Sequence, residues 1–229
     1  MSAAVKRHYD NTRRQAQSQA TRQRIIDAAR EEFTEHGYPA ATLEAIATAA
    51  DASLPTLYRL FSSKRALLKA VLDVTLGGDD QPIAFGDRAE VQAARALKDP
   101  AKLVAAFARI ARDFMDRSAP IMHVLTTAAQ VDTDAAQLAA DIRRQRHTGQ
   151  SRIITALDNL GALDPDLDPG EAADIAYAVL SPDVHRILTA ERGWTSDQYQ
   201  RWLTRSLGAL LRHPPAQQTP AGRTAQPAR

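Results

Sequence analysis

The chain has 229 residues and no cysteine, and its 29 Lys and Arg against 27 Asp and Glu give a formal net charge of +2. That length allows a sizeable core in one or two helical units, and the missing thiols exclude disulfides, thiolate zinc sites and cysteine nucleophiles. No apolar run reaches the roughly 18 residues of a membrane span, and the N-terminus is basic and polar rather than of the secretory kind, so a cytoplasmic chain with no membrane partner is expected.

The small net charge hides an uneven distribution. Residues 1–24 carry Lys6, Arg7, Arg13, Arg14, Arg22 and Arg24 against Asp10, and the remainder is net acidic. Such an arm suits nucleic acid, by reaching a minor groove or by nonspecific tethering, and it equally suits a solvated terminus. Residues 1–20 are expected to form a basic disordered arm.

Alternating β-branched runs are absent, alanine, leucine, arginine and glutamine dominate, and apolar residues recur at helical spacing, so the fold class is all-α. The first helix spans about 22–36, with Thr21 as N-cap, one stripe of Ile25, Ile26, Ala29 and Phe33, and Gly37 as its stop. Thr42 caps a short second helix with Leu43, Ile46 and Ala47, ending near Ala50 and Asp51. Ser53 starts a third, in which Pro55 is tolerated because first-turn amides have no intrahelical partner to lose. Ser62 or Ser63 caps a fourth, with Leu67, Leu68, Val71 and Leu72, which stops at Gly77 and Gly78. Two short helices joined by Asp51 and Ala52 and packed on a longer one form a helix-turn-helix DNA-binding module over 21–76.

Residues 77–99 hold Gly77, Gly78, Pro82 and Gly86 and are expected to connect, with a short helix near 89–97. A second helical domain over 100–212 follows. Its first helix repeats Leu103, Phe107, Ile110 and Phe114 and ends before Pro120. Further helices are expected over 121–129, 133–160, 169–180, 182–192 and 195–212, and a disordered tail over 213–229.

The segments RIIDAAREEFTEHG, ATLEAIATAADAS and PTLYRLFSSKRALL, in that order within residues 21–72, resemble the DNA-binding domain of TetR-family transcriptional regulators. Two positions depart from the family pattern. Asp51 stands where glycine is usual, and aspartate tolerates a left-handed turn. Leu60 replaces a histidine before Phe61, which removes one contact. Residues 172–203, AADIAYAVLSPDVHRILTAERGWTSDQYQRWL, look like the last two helices of family members, which pair with a second subunit as a four-helix bundle.

The resemblance assigns Thr42, Thr56, Tyr58 and Lys64 to the phosphate backbone of double-stranded DNA. Phosphate contacts carry affinity and register without reading sequence. A capping threonine and a helix N-terminus beside a lysine offer unpaired amides and a positive dipole end to an anion. Packing of Tyr58 in the small core is the alternative. Reading of base edges falls to Leu54, Pro55 and Arg59, flanked by Leu43 and Glu44. Arg59 either pairs with guanine or meets phosphate and solvent, and Glu44 either accepts from cytosine or is a solvated acid near a positive helix end.

By the same resemblance, the helical domain over 100–212 is a ligand-binding and dimerisation domain, and a small-molecule effector enters among its central helices, where Phe107, Ile110, Phe114, Met115, Met122, His123 and Thr126 either line a pocket or fill core. Ile175, Val179, Val184, Ile187 and Leu188, with Tyr199, Trp202, Leu203, Leu207, Leu210 and Leu211, give the last two helices more apolar surface than one domain readily covers, so a homodimer is expected. Two identical reading heads then require a palindromic operator. The implied activity is a homodimeric repressor released from its operator by the effector.

An enzyme is the first rival. No metal-binding His-Glu-x-x-His, phosphate loop or nucleophile elbow is present, no cofactor is implied, and DPDLDPGE over 164–171 has the wrong spacing for a calcium loop. A helical protein-interaction module, which has no use for TLYRLFSSK, and a DNA-binding protein without effector are the others.

Overall fold

The computed structural model describes the backbone of residues 2–77 and 85–210, with side chains from residue 16 onward. Helix α1 (Ser2–Ala40) buries Ile25, Ile26, Ala29 and Phe33 along one stripe. It begins well before the expected cap. Thr21 lies inside it, with its hydroxyl donating to the Gln17 carbonyl at 3.0 Å, and the arm expected to be disordered is helical. The reason is local: the residues before Thr21 include neither glycine nor proline and are rich in Ala, Gln and Arg, so nothing stops the helix. Gly37 is the break that the sequence predicts. Its φ of 76° and ψ of 163° kink the helix, and the Ala41 amide donates back to its carbonyl at 3.1 Å to close a last turn through Pro39.

Helix α2 (Leu43–Ala49) is capped by Thr42, whose Oγ1 accepts from the Ala45 amide at 3.1 Å. Helix α3 (Leu54–Leu60) is capped by Ser53, and Pro55 sits in its first turn. Between them Asp51 has φ of 48°, the left-handed conformation that lets the chain reverse within a few residues. Helix α4 (Lys64–Gly77) begins at Ser63, whose Oγ accepts from the Ala66 amide at 3.1 Å.

A 3-10 turn at Phe85–Asp87 precedes helix α5 (Ala89–Arg95), the short helix expected near 89–97 within the connecting segment. Val91 and Ala94 of α5 bury against Ile110. Helix α6 (Pro100–Ala128) continues through Pro120, where a break was expected. Proline there removes the bond to the Asp116 carbonyl and crowds it, and both residues are exposed, so the defect falls on the solvent side of the helix. Ser118, Ala119, Ile121 and Met122 anchor the helix on its buried side across the gap.

Helices α7 (Thr133–Asn159), α8 (Pro169–Val179), α9 (Pro182–Arg186) and α10 (Ser196–Gly208) follow, capped respectively by Asp132, Asp168, Ser181 and Thr195. A π turn at Ile187–Glu191 replaces the second half of the helix expected over 182–192. Residues 78–84, Leu211 and the tail over 213–229 lie outside the described residues.

One core joins α1 through α4 to Ile121, Met122, Val124, Leu125 and Ala128 of α6 and to Ala135, Ala139 and Ile142 of α7. A second gathers α6, α7, α8 and α10 around Tyr199 and Leu203. The N-terminal module is therefore packed directly onto the ends of α6 and α7. Among the described residues there is no strand and no helix long and apolar enough to cross a membrane.

Candidate nucleic-acid interface and internal cavity

Caps and turn together aim one set of side chains outward. Leu57 is fully buried, which fixes the roll of the two-turn α3 and turns Pro55, Tyr58 and Arg59 to solvent. Tyr58 is 49% exposed, so it stands on the surface rather than in the core. Thr56 is half-buried and shares a 2.8 Å hydroxyl bond with Ser53, whose Oγ also accepts the Thr56 amide at 3.3 Å. Thr42 is exposed, and its capping bond uses an acceptor lone pair, leaving the hydroxyl hydrogen to donate elsewhere. Glu44 is exposed beside it, while Leu43 and Leu54 lean partly on the core.

Lys64 is held in place. Its Nζ donates to the Pro39 carbonyl at 3.3 Å and lies 4.9 Å from the centroid of the Tyr38 ring, a cation–π distance. Partial burial lowers the ammonium pKa, against an opposing pull from Glu32. The bond to Pro39 sets this cation three residues before Thr42, so the starts of α2 and α4 share one corner. Two further arginines, counted in the sequence only as part of a basic arm, hold the module together. Arg24 Nε donates to the Ala50 carbonyl at the end of α2 at 3.2 Å, and the Arg22 guanidinium lies 5.3 Å from the centroid of Phe61. Arg22 stands three and four residues before Ile25 and Ile26, and Arg24 four before the buried Ala28, so each lies one turn along from a buried position, which was the available signal.

A cavity of about 590 Å³ opens between α5, α6 and α7, within the range of small-molecule sites. Phe107, Phe114 and Met115 line it. Ile110, Met122, His123 and Thr126 do not. Ile110 packs on α5 and Met122 in the first core, while His123 and Thr126 are exposed, because the helix that was expected to restart after Pro120 instead keeps the phase of α6. Much of the polar lining, including Arg146 and Gln150, comes from α7, a helix from which the sequence reading named no site residue.

The apolar residues of the last helices divide in two. Tyr199, Leu203, Leu207 and Leu210 are buried in the chain's own core, since the stripe of α10 turns toward α6. Ile175 and Ile187 are each 41% exposed, and Val179, Val184, Leu188 and Trp202 are half-buried.

Residues 25–71 match the family described as bacterial regulatory proteins, tetR family. The HTH-type transcriptional regulator UidR of Escherichia coli is 45% identical over 58 residues, which are 25% of this chain and 30% of the relative. The HTH-type transcriptional repressor ComR of the same species is 29% identical over 137 residues, 58% of this chain and 61% of the relative. The chain thus matches less than two thirds of the length of these curated relatives. Among solved structures, SmeT of Stenotrophomonas maltophilia in complex with triclosan aligns with TM-score 0.67 and 19% identity over 85% of this chain and 92% of the other. The fatty acid degradation regulator FadR of Bacillus halodurans aligns with TM-score 0.63 and 19% identity over 82% and 98%. These relatives are regulators, and the two structures share the all-helical fold. Residues 25–71 thus carry the DNA-binding region of the tetR family of bacterial regulatory proteins, on a chain whose all-helical fold the two solved regulators share.

Proposed function

We propose that the chain is a cytoplasmic, homodimeric repressor that binds a palindromic operator and is released from it by a small-molecule effector. The carrying observation is the outward face of α3, where Pro55, Tyr58 and Arg59 are exposed beside the capped starts of α2 and α4. In this reading Thr42, Thr56, Tyr58 and Lys64 hold phosphates, and Arg59 reads a base edge, with Pro55 and the partly sheltered Leu43 and Leu54 adding apolar contact. Glu44 stands at the positive end of α2 as a solvated acid.

Ile175 and Ile187, with Val179, Val184, Leu188 and Trp202 around them, are the surface for a second copy. Leu203, Leu207 and Leu210 contribute by setting α10 in place. The cavity lined by Phe107, Phe114 and Met115 is the effector site. Relatives support the reading by their names: ComR is a repressor, and SmeT was crystallised with triclosan. Effector binding favours a state whose two heads no longer fit the groove spacing, and affinity for DNA falls by the difference in stability between the two states.

The test is selection of DNA from a random pool by the purified chain, followed by footprinting. A palindromic site protected by two copies supports the reading. Recovery of no preferred sequence sinks it.

A further inference from the structure

The lining of the cavity is uneven, and we infer from it the chemical class of the occupant: an organic acid with an apolar body. This rests on the effector reading above and names the ligand of that same site. Phe107, Phe114 and Met115 offer an aromatic and thioether floor. The opposite side is basic. Arg95, Arg144, Arg146 and Arg152 line it against two acids, Asp87 and Asp141, and Arg144 is already paired with Asp141. Among the described residues no salt bridge joins Arg95 or Arg152 to a carboxylate, while Arg146 feels the attraction of Asp183 and bonds to Tyr177.

Two of these guanidinium groups are set before any ligand arrives. Arg146 Nη2 donates to the Leu180 carbonyl at 2.8 Å, and the group lies 4.8 Å from the Tyr177 centroid. Arg95 Nη2 donates to the Gly86 carbonyl. Arg152 comes to the same glycine, where an added Cβ would meet its Nη1 at 3.3 Å. Arg95 and Arg152 thus converge at one point of the wall, a fork suited to a carboxylate.

Gln150 is an independent sign. It is only 6% exposed and its Oε1 is buried with no hydrogen-bond partner, as are Nε of Arg95 and of Arg146. Buried polar atoms without partners are rare in folded proteins and carry a desolvation penalty that a ligand's polar group removes. The orphan Oε1 accepts and marks a place for a ligand's polar hydrogen or a bridging water, while Nε2 of the same amide is the donor open to a carboxylate, so Gln150 meets the acid group from α7 while the hydrocarbon body lies on the aromatic floor.

The experiment uses the full chain, stripped of lipid, and calorimetric titration with three probes of equal length: decanoate, decan-1-ol and decylamine. Decanoate is expected to bind at least about tenfold more tightly than the alcohol, and the amine more weakly than both. Gln150→Leu and Arg152→Ala are each expected to weaken decanoate by about tenfold and leave decan-1-ol unchanged. Equal or tighter binding of the alcohol or the amine overturns the acid assignment, as does no binding of decanoate. The same titrations on the complex with a selected DNA site separate the two claims: decanoate that binds without releasing DNA upholds the ligand class and sinks the effector reading.

Discussion

The Tyr38 hydroxyl donates to Asp132 Oδ2 at 3.4 Å, tying the last turn of α1 to the N-cap of α7. On its other side the Tyr38 ring carries the Lys64 ammonium, and Arg65 pairs with both Asp132 and Asp134. Lys64, the proposed phosphate contact, and a helix that lines the cavity are therefore joined through one tyrosine.

Asp132 is also a cap, with Oδ1 accepting the amides of Asp134 and Ala135 at 2.9 and 3.0 Å. Asp132→Ala is expected to cost about 0.5–2 kcal/mol, and Tyr38→Phe about 0.5–1.5 kcal/mol, measured by urea unfolding. The backbone bond from Ala135 is the main cause that holds the Asp132 carboxyl below its ordinary pKa, with the Asp134 amide, Arg65 and Tyr38 adding to it and desolvation opposing it. A depressed folded-state value gives stability that is present above the unfolded value near about 3.9 and lost as pH falls below it. Wild type should lose stability between about pH 4 and pH 2 more steeply than Asp132→Asn, which keeps a capping oxygen but does not titrate. Parallel acid limbs would contradict this.

The turn between α2 and α3 puts Asp51 at φ 48°. Asp51→Ala should destabilise by about 1 kcal/mol, because alanine keeps the Cβ crowding of that conformation and loses the short polar side chain whose local hydrogen bonding offsets it, whereas Asp51→Gly removes the crowding and should be neutral or stabilising. Thermal unfolding of both variants decides it, and a stabilising alanine would mean that the turn has another geometry.

Gly149 sits inside α7, and an added Cβ there meets no atom within 4 Å. Gly149→Ala should raise stability by about 1 kcal/mol through the higher helix propensity of alanine. A lower denaturation midpoint would show that the cavity wall needs this glycine.

Ile175 and Ile187 leave apolar surface open on α8 and the π turn. An aspartate at either position should drive a homodimer to monomer in sedimentation velocity, since an unpaired charge buried at an interface costs far more than one in water. Persistence of the dimer in both variants would place the interface elsewhere.

Much of this architecture was legible in residues that act locally. Thr42, Ser53 and Gly37 bond or bend within a few positions, so these residue types alone announce where α2 and α3 start and α1 breaks. The apolar stripe from Ile25 to Phe33 needed only its own period. What failed depends on three-dimensional context. Pro120 reads as a stop, and only the exposure of Asp116 and the packing on both sides let α6 continue. Leu203 and Leu207 look the same in sequence whether α10 faces α6 or a partner. Arg146 and Gln150 carry no local sign of lining a cavity, because nothing nearby in sequence tells that α5 and α6 face them.

The division of labour on α3 and α4 is tested most directly by fluorescence anisotropy on a selected DNA site and its single-base variants, across a salt series. Wild type is compared with Tyr58→Phe, Lys64→Gln and Arg59→Ala. Tyr58→Phe and Lys64→Gln should weaken binding to every sequence alike, and Lys64→Gln should lower the slope of log affinity against log salt by about 1. Arg59→Ala should lose about 1–3 kcal/mol of preference at one base pair and little elsewhere. Unchanged affinity and preference in all three variants would contradict the assignment of this face to DNA.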